Sequence, residues 1–156
     1  MATVVTIDRV AGTVQRSYHR TFHAHAKHLT REVGRAVDTW FDGGFVGVDY
    51  PAHSYPDAFK SFTPQARHDA FQQRALMTAG SLGSHIDGVT TLQRNVRLDV
   101  LAPQGRPSGV TARVVLRFKT TGQATKKVTV TGRLFLTQGG GGAWRIFGFD
   151  VAKGAK

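Results

Sequence analysis

Asp42, Asp49, Tyr50 and His53 fall within one short stretch, and these are the side-chain types that general acid–base catalysis uses. A neutral imidazole titrates near physiological pH, and a neighbouring carboxylate can orient it or exchange a proton with a bound ligand. Tyr55 follows closely, and Asp150 on the last predicted strand is a further carboxylate for the same group. A structural reading competes. Asp42 can accept local hydrogen bonds at a helix end, while the others are turn residues beside Pro51 and Pro56.

Metal chemistry has a weaker claim. His19, His23, His25 and His28 lie close together, and on a strand His19, His23 and His25 would share one face. Imidazoles so spaced can ligate zinc, copper or nickel. No cysteine or nearby carboxylate completes a ligand set, and Arg20 and Lys27 repel a cation. The reading is therefore a basic, histidine-bearing arm, with no metal and no cofactor. Cysteine is absent throughout, which excludes a thiol nucleophile, a disulfide framework and a thiolate site.

The elements that must position these residues are legible from periodicity. Leu29, Val33, Ala36, Val37, Trp40 and Phe41 recur at steps of three and four, which predicts an amphipathic helix ended by Asp42-Gly43-Gly44. A short helix is expected over Pro56–Phe62. Thr63-Pro64 then reads as an N-cap with proline in the first turn of a helix reaching Ala79, and Ser81 to Thr91 reads as a loop. From Leu92 the period becomes two. Val96, Leu98 and Val100, then Val114, Leu116 and Phe118, then Val128, Val130, Leu134 and Leu136, then Trp144 and Ile146, mark four strands in hairpin succession. Residues 1–28 read as an N-terminal arm or hairpin, 29–151 as the domain, and 152–156 as a short basic tail. The fold class is α+β, a strongly curved antiparallel sheet wrapped around N-terminal helices.

The same alternation sends Arg97, Arg113, Arg117, Lys119, Lys127, Arg133 and Arg145 to the other face, together with Asp99, Phe135, Phe147 and Phe149. Lys plus Arg is 21 against 10 for Asp plus Glu, a net charge of +11. A rigid sheet carrying much of that excess suits an acidic partner or a polyanion, such as nucleic acid or anionic lipid. The exposed phenylalanines suit a protein interface. No phosphate-cradling glycine motif is present, and Gly139 to Gly142 reads as a hairpin tip.

Helices followed by a meander, with the segment 128–136 leading through a glycine-rich turn to Trp144-Arg-Ile-Phe-Gly-Phe-Asp-Val151, resemble the nuclear transport factor 2-like superfamily, the cystatin-like α+β roll. The chain is especially similar to uncharacterised actinobacterial proteins of that superfamily. The resemblance implies a cone between helices and sheet, used by some members as an isomerase, dehydratase or hydrolase site and by others for non-enzymatic assembly. It also implies dimerisation through the open sheet face, where seven cations would repel across a two-fold axis unless offset or bridged. Because the core-facing strand positions are apolar, the expectation is a non-catalytic binding or assembly domain engaging a protein partner or itself, with a homodimer expected. An enzyme or ligand-binding cone using Asp42, Asp49, Tyr50 and His53 is the alternative, and polyanion binding the second. No signal or membrane span is read in the chain, so the compartment is cytoplasmic by default, with an exported domain lacking its anchor as the other reading.

Overall fold

The structure, a computed structural model, describes residues 4–11, 16–101 and 107–156, with side chains from His28 onward. Strand β1 (Val4–Ala11) precedes helix α1 (Arg16–Phe41), which passes into a π-helical turn over Asp42–Val46. Helices α2 (Pro64–Gln72) and α3 (Arg74–Met77) follow, then a 3₁₀ segment, Gly80–His85. Strands β2 (Ile86–Leu101), β3 (Gly109–Gly122), β4 (Lys127–Gln138) and β5 (Trp144–Ala155) form an antiparallel meander. The five-stranded sheet is open, in the order β1-β2-β3-β4-β5.

The core lies between α1 and the inner face of the meander. Leu29, Val33, Val37, Trp40 and Phe41 present the predicted stripe, and they meet Val96, Leu98, Leu116, Phe118, Val130 and Leu134 from the strands. Trp40 Nε1 donates to the Met77 carbonyl at 2.9 Å, so the indole is buried without an unmet donor. Its ring packs edge-on against Phe45, which in turn reaches Phe118. These rings fill the space between the end of α1, the π-helical turn and β3.

Several expectations are corrected. The hairpin expected within residues 1–28 does not form. β1 pairs with β2 in parallel, and the stretch from Arg16 is the first part of α1, so the boundary drawn at residue 28 cuts through a helix. Once the stripe from Leu29 is helical, each added residue contributes one backbone hydrogen bond at little nucleation cost, and β-propensity is too context-dependent to oppose that. Residues 56–62 are successive turns, closed by Ala58 N–H to the Tyr55 carbonyl and Phe62 N–H to the Phe59 carbonyl. Phe62 is held instead by a bridge to Ile146.

The N-cap reading holds: Thr63 Oγ1 accepts from Ala66 N–H at 3.3 Å. The helix it starts breaks at Gln73, and Phe71 is exposed beneath the Arg74 guanidinium. β2 begins at Ile86, within the expected loop, and 152–155 belong to β5, not to a tail.

Candidate functional site: a cationic sheet face and a charged cleft

Strand register fixes what the outer face presents. Arg97 lies opposite Arg113, and Arg113 opposite Arg133, so three guanidinium-bearing residues form one row across β2, β3 and β4. Lys119 lies opposite Lys127 further along. Like charges directly opposed on neighbouring strands are destabilising, because strands sit only about 4.8 Å apart. Two carboxylates offset part of this. Asp99 Oδ2 accepts from Arg113 Nε at 3.0 Å, and Asp150 Oδ2 accepts from Arg133 Nη2 at 2.8 Å. Both arginines remain about half exposed, so these pairs contribute little stability and leave both guanidiniums reachable. Arg117, Lys119, Lys127 and Arg145 are exposed on the same face. Phe135 packs against Phe147 and under Arg133, and Phe147 is 52% exposed.

One bulge reshuffles the last strand. Phe135 pairs with Gly148 and Leu136 with Ile146, so Phe147 is the extra residue and the alternation shifts by one after it. Phe149 therefore turns inward, where its ring meets Phe62, and does not join the outer aromatics as expected. Asp150 turns outward to Arg133, away from the predicted acid–base group. Lys153 turns inward: its Nζ donates to the carbonyls of Ala75 and Thr78, capping the end of α3. Burial lowers the Lys153 pKa.

The acid–base group does not assemble. Tyr50 donates its hydroxyl to the Phe45 carbonyl and packs against the core, and burial, with Tyr55 nearby, raises its pKa. Tyr55 donates to the Gly80 carbonyl at 2.8 Å, and burial raises its pKa also. Both phenols stay protonated and occupied by backbone. Asp49 is exposed, and His53 is exposed on a separate depression that it shares with Tyr55, Phe71 and Arg74. Asp42 alone joins a charged site.

That site centres on Arg94, which the sequence reasoning passed over along with Asp38. Arg94 projects from β2 toward α1, its side chain only 8% exposed. Nη2 meets Asp38 Oδ1 at 2.7 Å, Nη1 meets Asp42 Oδ1 at 2.8 Å, and the guanidinium lies 5.3 Å from the Phe41 ring. Burial alone would lower the Arg94 pKa, but the hydrogen bonds and charges of Asp42 and Asp38 hold it above its ordinary value. A cleft of about 970 Å³ opens over this cluster, lined also by Thr30, Arg31, Arg35 and Thr91. The signal was available: Arg94 has the parity of Val96, Leu98 and Val100, and a cation on the core face of a strand requires a buried counter-charge. Chemically, the cluster is an ion-pair set in which one guanidinium on β2 holds two carboxylates at the end of α1 and the turn after it.

His19 and His23 sit one helical turn apart in α1, so the strand on which three histidines share a face is absent; their side chains lie outside the described residues. Among the described residues no group of histidines and carboxylates is placed to hold a metal ion, and no helix is long and apolar enough to cross a membrane. Comparison with known proteins adds no assignment to this geometry: no protein-family model, curated protein or solved structure matches the chain.

Proposed function

We propose that the protein is a non-catalytic binding domain whose outer sheet face docks an acidic protein surface, on a nuclear transport factor 2-like roll. The observation that carries this is the opposed row Arg97–Arg113–Arg133, flanked by exposed Arg117, Lys119, Lys127 and Arg145. Like charges opposed in this way on one rigid face, offset only in part by Asp99 and Asp150, are tolerated more readily when an anionic partner adds to the offset. Exposed Phe147 on Phe135 supplies an apolar anchor beside the charges, which favours a protein over a bare polyanion. The aromatic filling between α1 and the sheet, and the scattering of Asp49, Tyr50 and His53, support a surface function over chemistry within a cone.

The test compares two labelled probes, poly-L-glutamate and a duplex DNA oligonucleotide, against the wild-type chain and an Arg113→Glu/Arg117→Glu/Arg133→Glu variant. The reading expects poly-L-glutamate to bind with an affinity that weakens as salt rises, and the variant to lose at least about tenfold. A second variant, Phe147→Ser, should leave poly-L-glutamate binding unchanged, since that probe offers no apolar anchor. Equal poly-L-glutamate binding by the charge-reversed variant rejects the face as the site. DNA binding that is much tighter and falls with the same variant moves the function to polyanions.

A further inference from the structure

We infer that the depression beside Arg74 is a second binding site, one that takes a small carboxylate with an apolar, aromatic-sized body. Its volume is about 470 Å³, within the roughly 300–1,000 Å³ of small-molecule sites. Ala52, Phe59, Phe71 and Ala75 supply apolar wall, and Arg74 and His53 stand among them. Hydrogen bonds fix these walls without a ligand. Ala52 N–H donates to the Gly83 carbonyl at 2.8 Å, and Tyr55 Oη to the Gly80 carbonyl at 2.8 Å, tying the 47–56 turn to the 3₁₀ segment. Thr78 Oγ1 donates to the Arg74 carbonyl at 2.6 Å and accepts from Gly80 N–H at 3.0 Å, which joins α3 to the same segment. A preformed hollow spares a ligand the cost of ordering it. Phe71 is nonetheless 54% exposed, the most of any large apolar side chain among the described residues, so apolar surface remains there for a ligand to cover.

The charges around the hollow call for an anion. Among the described residues no carboxylate lines it and none pairs with Arg74. The guanidinium is positioned by other means: it lies 4.5 Å from the Phe71 ring centroid, and Nη1 donates to the Phe71 carbonyl at 3.0 Å. That bond uses one of five guanidinium N–H groups, and the rest can grip a carboxylate with two parallel hydrogen bonds. The adjoining depression, which shares Phe59 and Phe71, does not cancel this charge. Its Arg67 donates to the carbonyls of Phe59, Lys60 and Phe62, and its Lys60 is matched by Asp57 at 2.5 Å. Asp69, the nearest acid along α2, accepts from Gln65 at 3.2 Å and lines neither hollow. One fixed cationic fork against apolar walls suits one carboxylate on an apolar body. The inference uses no residue of the outer sheet face and is independent of what that face binds.

Equilibrium dialysis of the full chain against labelled cinnamate, and against its uncharged amide, tests the site. Cinnamate should bind saturably, one per chain, with a dissociation constant below about 1 mM, and cinnamamide at least about tenfold more weakly. Arg74→Met should bring cinnamate down to the level of the amide, while Phe71→Ala should weaken both. Both side chains are exposed, so the variants should keep the wild-type urea midpoint. Arg145→Met, which removes the same charge from the outer face, should leave cinnamate binding unchanged, as should the charge-reversed outer-face variant. No saturable binding of cinnamate below about 1 mM overturns the inference. So does equal binding of the amide, cinnamate binding that survives Arg74→Met, or a loss on Arg145→Met as large as that on Arg74→Met. Cinnamyl phosphate binding at least about tenfold tighter than cinnamate would overturn the assignment to carboxylates.

Discussion

Arg94→Met should cost about 3 kcal/mol of stability, a fall in Tm of roughly 6–12 °C for a domain of this size. The replacement keeps most of the volume and removes the charge. Asp38 and Asp42 then face each other without the guanidinium that both now contact at under 3 Å. Breaking a buried ion pair by deleting one partner costs about 3–5 kcal/mol, because the remaining charge is stranded. Here Asp42 is half exposed and Asp38 a third exposed, so water recovers part of the loss, which places the expected cost at the lower end of that range. Two further variants separate charge from packing. Adding Asp38→Asn and Asp42→Asn to Arg94→Met should recover at least half of the loss, since no stranded charge remains. Arg94→Lys should be intermediate: it keeps the charge but cannot span two carboxylates with a planar fork. Urea unfolding monitored by tryptophan fluorescence reads all three. A change below about 0.5 kcal/mol for Arg94→Met would class it with ordinary surface substitutions and remove Arg94 as the tie between α1 and the sheet.

The same residue shows where periodicity could have been carried further. The inward set Val96, Leu98 and Val100 was legible because apolar and charged residues alternate there, and the outer row of arginines followed from it. Extending the parity two residues back reaches Arg94, but a charged residue on the core face looks like the end of the pattern unless its partners are known. Those partners, Asp38 on α1 and Asp42 in the π-helical turn that continues it, lie one turn apart and far away in sequence from Arg94, so only tertiary packing brings the three together. The Phe147 bulge was harder to foresee. Phe-Gly-Phe is compatible with unbroken alternation, and a lone glycine in a strand is only a weak sign of a bulge. That single extra residue decides the fate of Phe149, Asp150 and Lys153, each on the opposite side from its simple parity. The tyrosines illustrate a different limit. Their types suit chemistry, but whether a phenol meets a ligand or a backbone carbonyl is set by how the 47–56 turn lies on the core.

The close approach of β5 to β4 depends on Gly132, and Gly132→Ala should destabilise the fold by about 3–5 kcal/mol, with Gly132→Val worse. Gly132 occupies a core-side position of β4 between Val130 and Leu134, opposite Val114 on one side and Val151 on the other. Its φ is +150°, a conformation that L side chains rarely adopt. A Cβ built there would lie 2.2 Å from the Asp150 carbonyl oxygen and 2.7 Å from the Val151 Cα. Those are backbone atoms of β5, so no side-chain rotation relieves the overlap, and the strand itself must retreat. A glycine kink of this kind lets a sheet bend without losing its ladder. Here it lets the Asp150–Val151 backbone lie close against β4, beside the Arg133–Asp150 pair on the outer face. Gly132→Ala should therefore lower stability and also loosen that pair, shifting the salt dependence of poly-L-glutamate binding. Gly140→Ala supplies the control. Nothing lies within 4 Å of a Cβ added at that hairpin tip, and stability should change by no more than about 0.5 kcal/mol. Equal urea midpoints for the two alanine variants would show that β4 accommodates a side chain at 132, and the glycine kink would lose its role in shaping the face.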